Sequence, residues 1–123
     1  MADRTVRFIV GEITLEAEWA DTPTADLIYG ALPLSARGSY WGVELYFAIP
    51  VRANEEPRAS DVVEVGEIAY WPPGKCLCLF WGPTPASHGN ECRAADPVNV
   101  VGRVLNVDDL KRITATGVLV EVS

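Results

Sequence analysis

Six consecutive residues, Cys76–Trp81 (CLCLFW), are apolar without interruption. A strand with one wet face alternates apolar and polar positions. So short and uniform a run therefore predicts a strand covered on both faces. A second apolar run, Val62–Trp71, precedes it across Pro72-Pro73-Gly74-Lys75. Two runs rich in aromatic and β-favouring residues, joined by a short Pro/Gly turn, predict an antiparallel pair. A central barrel strand with a helix or loop laid over its outside meets that requirement, and the rest of the chain is expected to close around this hairpin.

The other segments supply the walls. Thr5–Val10 and the alternating Ile13–Trp19 predict a first hairpin, with Ile13, Leu15, Ala17 and Trp19 on the inner face. Thr22 followed by Pro23 is a helix start, since threonine caps well and proline lacks only an N–H that the first turn does not use. Ala25, Leu27, Ile28, Ala31 and Leu32 recur at helical spacing, and Pro33 ends the helix. Leu34–Trp41 reads as a loop entering a strand. Gly42–Pro50 then alternates, with Val43, Leu45, Phe47 and Ile49 inward and Glu44, Tyr46 and Ala48 outward. Arg52–Asp61 and Pro83–Pro97 read as surface loops. Val98–Leu105 predicts a strand with a bulge or close approach at Gly102. Asn106–Ile113 predicts one or two helical turns capped by Asn106, and Val118, Val120 and Val122 mark a last strand. The expected architecture is mainly β: a closed antiparallel eight-stranded barrel capped by one or two short helices, one domain over residues 1–123.

Charge and cysteine usage narrow the partners. Seventeen acidic against ten basic side chains give a net charge of −7, and the basic residues are scattered. Nucleic acid and anionic membranes call for a clustered positive face, so neither is an expected partner. No apolar run reaches the roughly 20 residues of a membrane-spanning helix, and the N-terminus lacks a signal-peptide pattern. A cytoplasmic protein is expected. Three cysteines without CxxC spacing favour free thiols.

From TVRFIV through TADLIYGALP, GEIAYWPPGKCLCLFWGPTPAS and PVNVVGRVLNVDDLKRI to the final VLVEV, the chain resembles the small cyclophilin-like proteins of bacteria and archaea. The YWPPG and FWGPTP segments are the specific ones. The resemblance implies the eight-stranded cyclophilin barrel. The wider cyclophilins are peptidyl-prolyl isomerases with a shallow apolar groove outside the barrel. They carry an arginine, in a Phe-His-Arg setting, on the strand corresponding roughly to Tyr40–Ile49. Here that strand reads YWGVELYFAI and has no arginine; Arg37 and Arg52 flank it without matching the motif. The CLCLFWG strand resembles the groove strand that carries a pocket phenylalanine, with Phe80 as counterpart.

Three functions follow in order of preference. The first is a module binding a small molecule or proline-containing peptide in an aromatic-lined groove. Tyr40, Trp41, Trp71, Phe80 and Trp81 are the candidate lining, because aromatic side chains combine apolar bodies with polar tips. Their commoner use is core packing. The second is a small-molecule isomerase, lyase or hydrolase using Glu44, Tyr46 or His88 as acid or base. Glu44 and Tyr46 would ordinarily be solvated on an outer strand face, and His88 would be an exposed loop histidine. The third is prolyl isomerisation. No cofactor is expected. No metal site is expected either, since His88 and Cys92 make two ligands where zinc takes three or four.

Overall fold

The computed structural model describes residues 4–123. The predicted first hairpin forms, β1 (Arg4–Val10) pairing antiparallel with β2 (Ile13–Trp19). Leu15, Ala17 and Trp19 are buried while Thr14 and Glu18 face solvent. Helix α1 (Pro23–Ala31) starts at the expected residue: the Thr22 hydroxyl accepts the Ala25 N–H at 3.2 Å. Ala25 and Ile28 enter the main core, and Trp19 Nε1 donates to the Ala25 carbonyl at 2.9 Å. The remaining strands are β3 (Leu34–Arg37), β4 (Ser39–Tyr40), β5 (Glu44–Ala48), β6 (Ser60–Val63), β7 (Glu67–Trp71), β8 (Cys76–Phe80), β9 (Cys92–Val104) and β10 (Gly117–Val122). No helix among the described residues is long and apolar enough to cross a membrane.

The fold is mainly β and antiparallel, but not the expected closed eight-stranded barrel. Ten strands form one sheet in the order β3-β10-β1-β2-β9-β7-β8-β5-β4, with β6 paired to β9 off that path. The order ends on β3 and β4 and no ladder joins them. These two are neighbours in the chain, separated by Gly38, so the stretch expected to be a loop supplies both sheet ends. The run Val62–Trp71 is likewise two strands, broken where Gly66 adopts φ +90°. The C-terminal helical segment, Val107–Arg112, is a 3-10 turn. Asn106 does not cap it; its Oδ1 accepts from the Glu16 N–H at 2.8 Å and its Nδ2 donates to the Thr14 carbonyl at 3.0 Å.

The apolar run at 76–81 is covered on both faces, as its composition requires. Leu77 and Leu79 of β8 join Phe8, Leu15, Trp19, Leu45, Phe47 and Ile68 in the main core. Cys76, Cys78 and Phe80 point the other way, into a second core with Val63, Ala69, Cys92, Ala94 and Val98. The cover is therefore neither helix nor loop. It is β6 and the first half of β9, so the segment expected to be a loop up to Pro97 becomes strand from Cys92 onward, and Cys92 is buried. β9 spans thirteen residues: its second half pairs with β2 and β7 and its first half with β6. At the change of partner sits buried Asn99. Its Oδ1 accepts the Glu56 N–H at 2.9 Å, and its Nδ2 donates to Thr24 Oγ1 at 3.0 Å and the Asn54 carbonyl at 2.9 Å.

Gly102 is the close approach anticipated in β9. A Cβ there would lie 2.6 Å from the Glu18 carbonyl oxygen and 2.9 Å from the Trp19 ring. Gly30, near the end of α1, has nothing within 4 Å of an added Cβ. Opposite signs are expected in urea denaturation. Gly102→Ala lowers stability by about 1–3 kcal/mol through overpacking, and Gly30→Ala raises it by about 0.5–1 kcal/mol through helix propensity.

Candidate functional site

Strand register builds the site. On the outer face of the sheet, Tyr46 of β5 lies opposite Cys78 of β8, which lies opposite Ala69 of β7. The row beside it is Ala48–Cys76–Trp71, and on the other side Glu44 lies opposite Phe80. Large side chains therefore stand at the margins and small ones in the middle. Ala94 and Ala95 of β9 complete the lining. The result is a cavity of about 240 Å³ lined by Trp41, Glu44, Tyr46, Trp71, Cys78, Ala94 and Ala95.

Each wall is held from outside. Trp71 Nε1 donates to Asp96 Oδ2 at 3.0 Å, tying β7 to β9. Its ring lies so close to Gly74 that a Cβ there would come within 2.3 Å. Only glycine at the hairpin turn lets the indole take this position. Trp41 sits in the β4–β5 turn, its N–H bonded to the Glu44 carbonyl at 2.9 Å. That turn is pinned in turn by the Val43 N–H, which donates to the Pro83 carbonyl at 2.8 Å.

Glu44 is the chemical centre. It is 4 % exposed, not the solvated strand residue its alternation suggests. Its Oε1 is buried without a hydrogen-bond partner among the described residues. Burial pushes the carboxyl up to about 7, an effect that the Cys78 thiol alongside partly offsets. Burial also pushes the Cys78 thiol well above its usual range, and the Glu44 charge adds to this. Cys76 is raised for the same two reasons. A carboxyl that changes charge near neutrality, open to a cavity, can exchange a proton with an occupant or hold a donor.

Four of the sequence candidates meet here: Trp41, Glu44, Tyr46 and Trp71. The others lie elsewhere. Phe80 is fully buried in the second core. Tyr40 donates its hydroxyl to the Ala115 carbonyl at 2.7 Å and meets Trp81 edge-on, with ring centroids 6.4 Å apart; Trp81 packs against the main core. His88 is exposed in a turn whose His88 and Gly89 N–H groups both donate to the Glu91 carboxylate, at 2.7 and 2.8 Å. Cys78, Ala94 and Ala95 were missed as lining. Cys78 shares its strand face with Cys76 and Phe80, a period-2 signal that was available. The two alanines fall in the segment read as loop.

A sequence model of the family described as cyclophilin-like matches residues 4–122. The chain belongs to the cyclophilin-like family. In fold and sequence the chain is similar to the hypothetical protein AF2241 from Archaeoglobus fulgidus, whose solution structure is known. It is 36 % identical, the match covers 99 % of this chain and 96 % of that one, and the TM-score is 0.81. McbB, whose structure was solved in complex with tryptophan, is 16 % identical with a TM-score of 0.58, over 94 % of this chain and 44 % of McbB. That likeness is one of fold alone. No curated protein matches the chain.

Burial of Glu44 sets a pH dependence for this cyclophilin-like domain. Below pH 4.5 the folded and unfolded chains both hold the proton. As pH rises from 4.5 toward 7 the unfolded chain releases it and the folded chain keeps it, so stability falls; above about 7 the loss is complete. Glu91, held down near 2 by the His88 N–H and Arg93, acts in the opposite sense and only at more acid pH. Denaturant titrations at successive pH values are expected to show a decline of about 3 kcal/mol across the window. Glu44→Gln is expected to flatten it; an undiminished slope in that variant would assign the decline to another group.

Proposed function

We propose that this protein binds a small molecule in the cavity between the outer face of β5, β7 and β8 and the first half of β9. The observation that carries the reading is Glu44 Oε1, an unpartnered acceptor on a buried acid that lines the cavity. A buried polar atom without a partner costs on the order of 1–3 kcal/mol, more when charged. Such an atom calls for an explanation, and an occupant of the cavity that completes it supplies one. The surrounding indoles and phenol supply apolar contact area, and one convergent polar group within such walls is how ligand cavities are ordinarily built.

A second reading has its own support. A carboxyl poised near neutrality is suited to general acid–base work on a bound substrate. In that reading Glu44 transfers the proton and Tyr46 orients the substrate. His88 has no part in it, being in an exposed turn that does not line the cavity. Prolyl isomerisation is not proposed, since no arginine lines the cavity and Phe80, the counterpart of the groove phenylalanine, is fully buried.

The test uses the tryptophans as reporters. Indole N–H signals of Trp41 and Trp71 are followed by NMR while a fragment set is added, with tryptophan among its members. Binding is expected to shift both signals and leave that of fully buried Trp19 in place. Trp71→Ala is expected to weaken binding about ten-fold or more, the loss of an aromatic wall. If no fragment moves Trp41 and Trp71, or if Trp19 moves equally, the cavity is not a binding site.

A further inference from the structure

We infer that the occupant of this cavity is a small organic cation, an ammonium or amidinium group on a short apolar body, with one N–H donated to the Glu44 carboxylate. The inference rests on the binding reading and adds the chemistry of the ligand.

Five observations converge on it. The unpartnered oxygen belongs to an acid, and the ionised carboxylate only accepts, so its partner in that state is a donor. The lining holds no lysine, arginine or histidine, so the protein brings no positive charge of its own to the cavity. The other large side chains lining it are Trp41, Trp71 and Tyr46, and indole and phenol π-systems attract cations. The Trp71 indole, moreover, donates its N–H to the Asp96 carboxylate, which makes the ring richer in electrons and a better cation partner. The net charge of −7 favours entry of a cation and opposes that of an anion. A metal ion fits poorly, because no group of three or more His, Cys, Asp and Glu among the described residues is placed to hold one.

The affinity should depend on pH in one direction. Glu44 must be ionised to pair with the cation, so binding strengthens as pH rises through about 7 and then levels off. Around the carboxyl stand the Cys76 and Cys78 thiols on β8 and the Tyr46 phenol on β5, with Asp96 on β9 beyond Trp71. The two thiols are raised by burial and uncharged in this range.

The experiment compares three near-isosteric probes by calorimetry on the unaltered chain: 2-phenylethylamine as cation, 2-phenylethanol as neutral and 3-phenylpropanoate as anion. The amine is expected to bind about ten-fold or more tighter than the alcohol, the gain of a charge-assisted hydrogen bond, and the anion weakest. Glu44→Gln is expected to bring the amine down to the level of the alcohol. Equal or tighter binding of the alcohol or the anion overturns the cation and leaves the binding site standing. Failure of all three to bind also overturns the cation, and the fragment measurement then decides separately whether the cavity takes any small molecule. The ranking needs no variant, so misfolding of the glutamine form does not blunt it.

Discussion

The structure depends on one strand being kept dry on both sides. β8 has no polar residue to present to water, so its five residues must each find an apolar neighbour. Leu77 and Leu79 find theirs in the curled sheet. Cys76, Cys78 and Phe80 need a second layer, and the chain provides it by making β9 long enough to belong to two places. Its second half is a central strand beside β2 and β7; its first half turns across the outer face and carries β6 with it.

That cover is incomplete, and the site is where it falls short. The cavity lies beside Cys78, lined by Ala94 and Ala95 of β9 and by Trp41, Tyr46 and Trp71. A carboxylate at this point is taken out of water by the same layer that covers the apolar row. The raised carboxyl of Glu44 and the raised thiol of Cys78 are thus consequences of the fold's central requirement.

Polar contacts help to hold the cover in place. Asn99 uses both ends of its amide at the point where β9 changes partners, linking α1 and the 54–56 segment to the strand. Tyr70 donates its hydroxyl to the Val51 carbonyl at 2.7 Å, fixing the start of the same segment. Trp71 and Asp96 fasten the far edge. The Asn99 and Tyr70 bonds satisfy groups that burial would otherwise leave unpaired.

Much of this was legible in the residues alone. The uninterrupted run at 76–81 called for two covered faces, the Thr22-Pro23 pair marked the start of α1, and alternation sorted Leu45, Phe47 and Ile49 into the core. Gly102 announced its close approach. All of these are local signals: periodicity, capping and steric allowance act over a few neighbouring residues. The sheet's two open ends, the strand identity of Cys92–Pro97 and the burial of Glu44 were not legible, since each depends on which distant segment lies alongside. Alternation placed Glu44 on the outer face correctly, but only the bend of β9 decides that this face is dry at Glu44 and wet at Ala48. Trp41 and Trp71 likewise carry no mark that separates them from Tyr40 and Trp81; cross-strand register and the Gly74 turn bring the first pair to one cavity and leave the second on the flank.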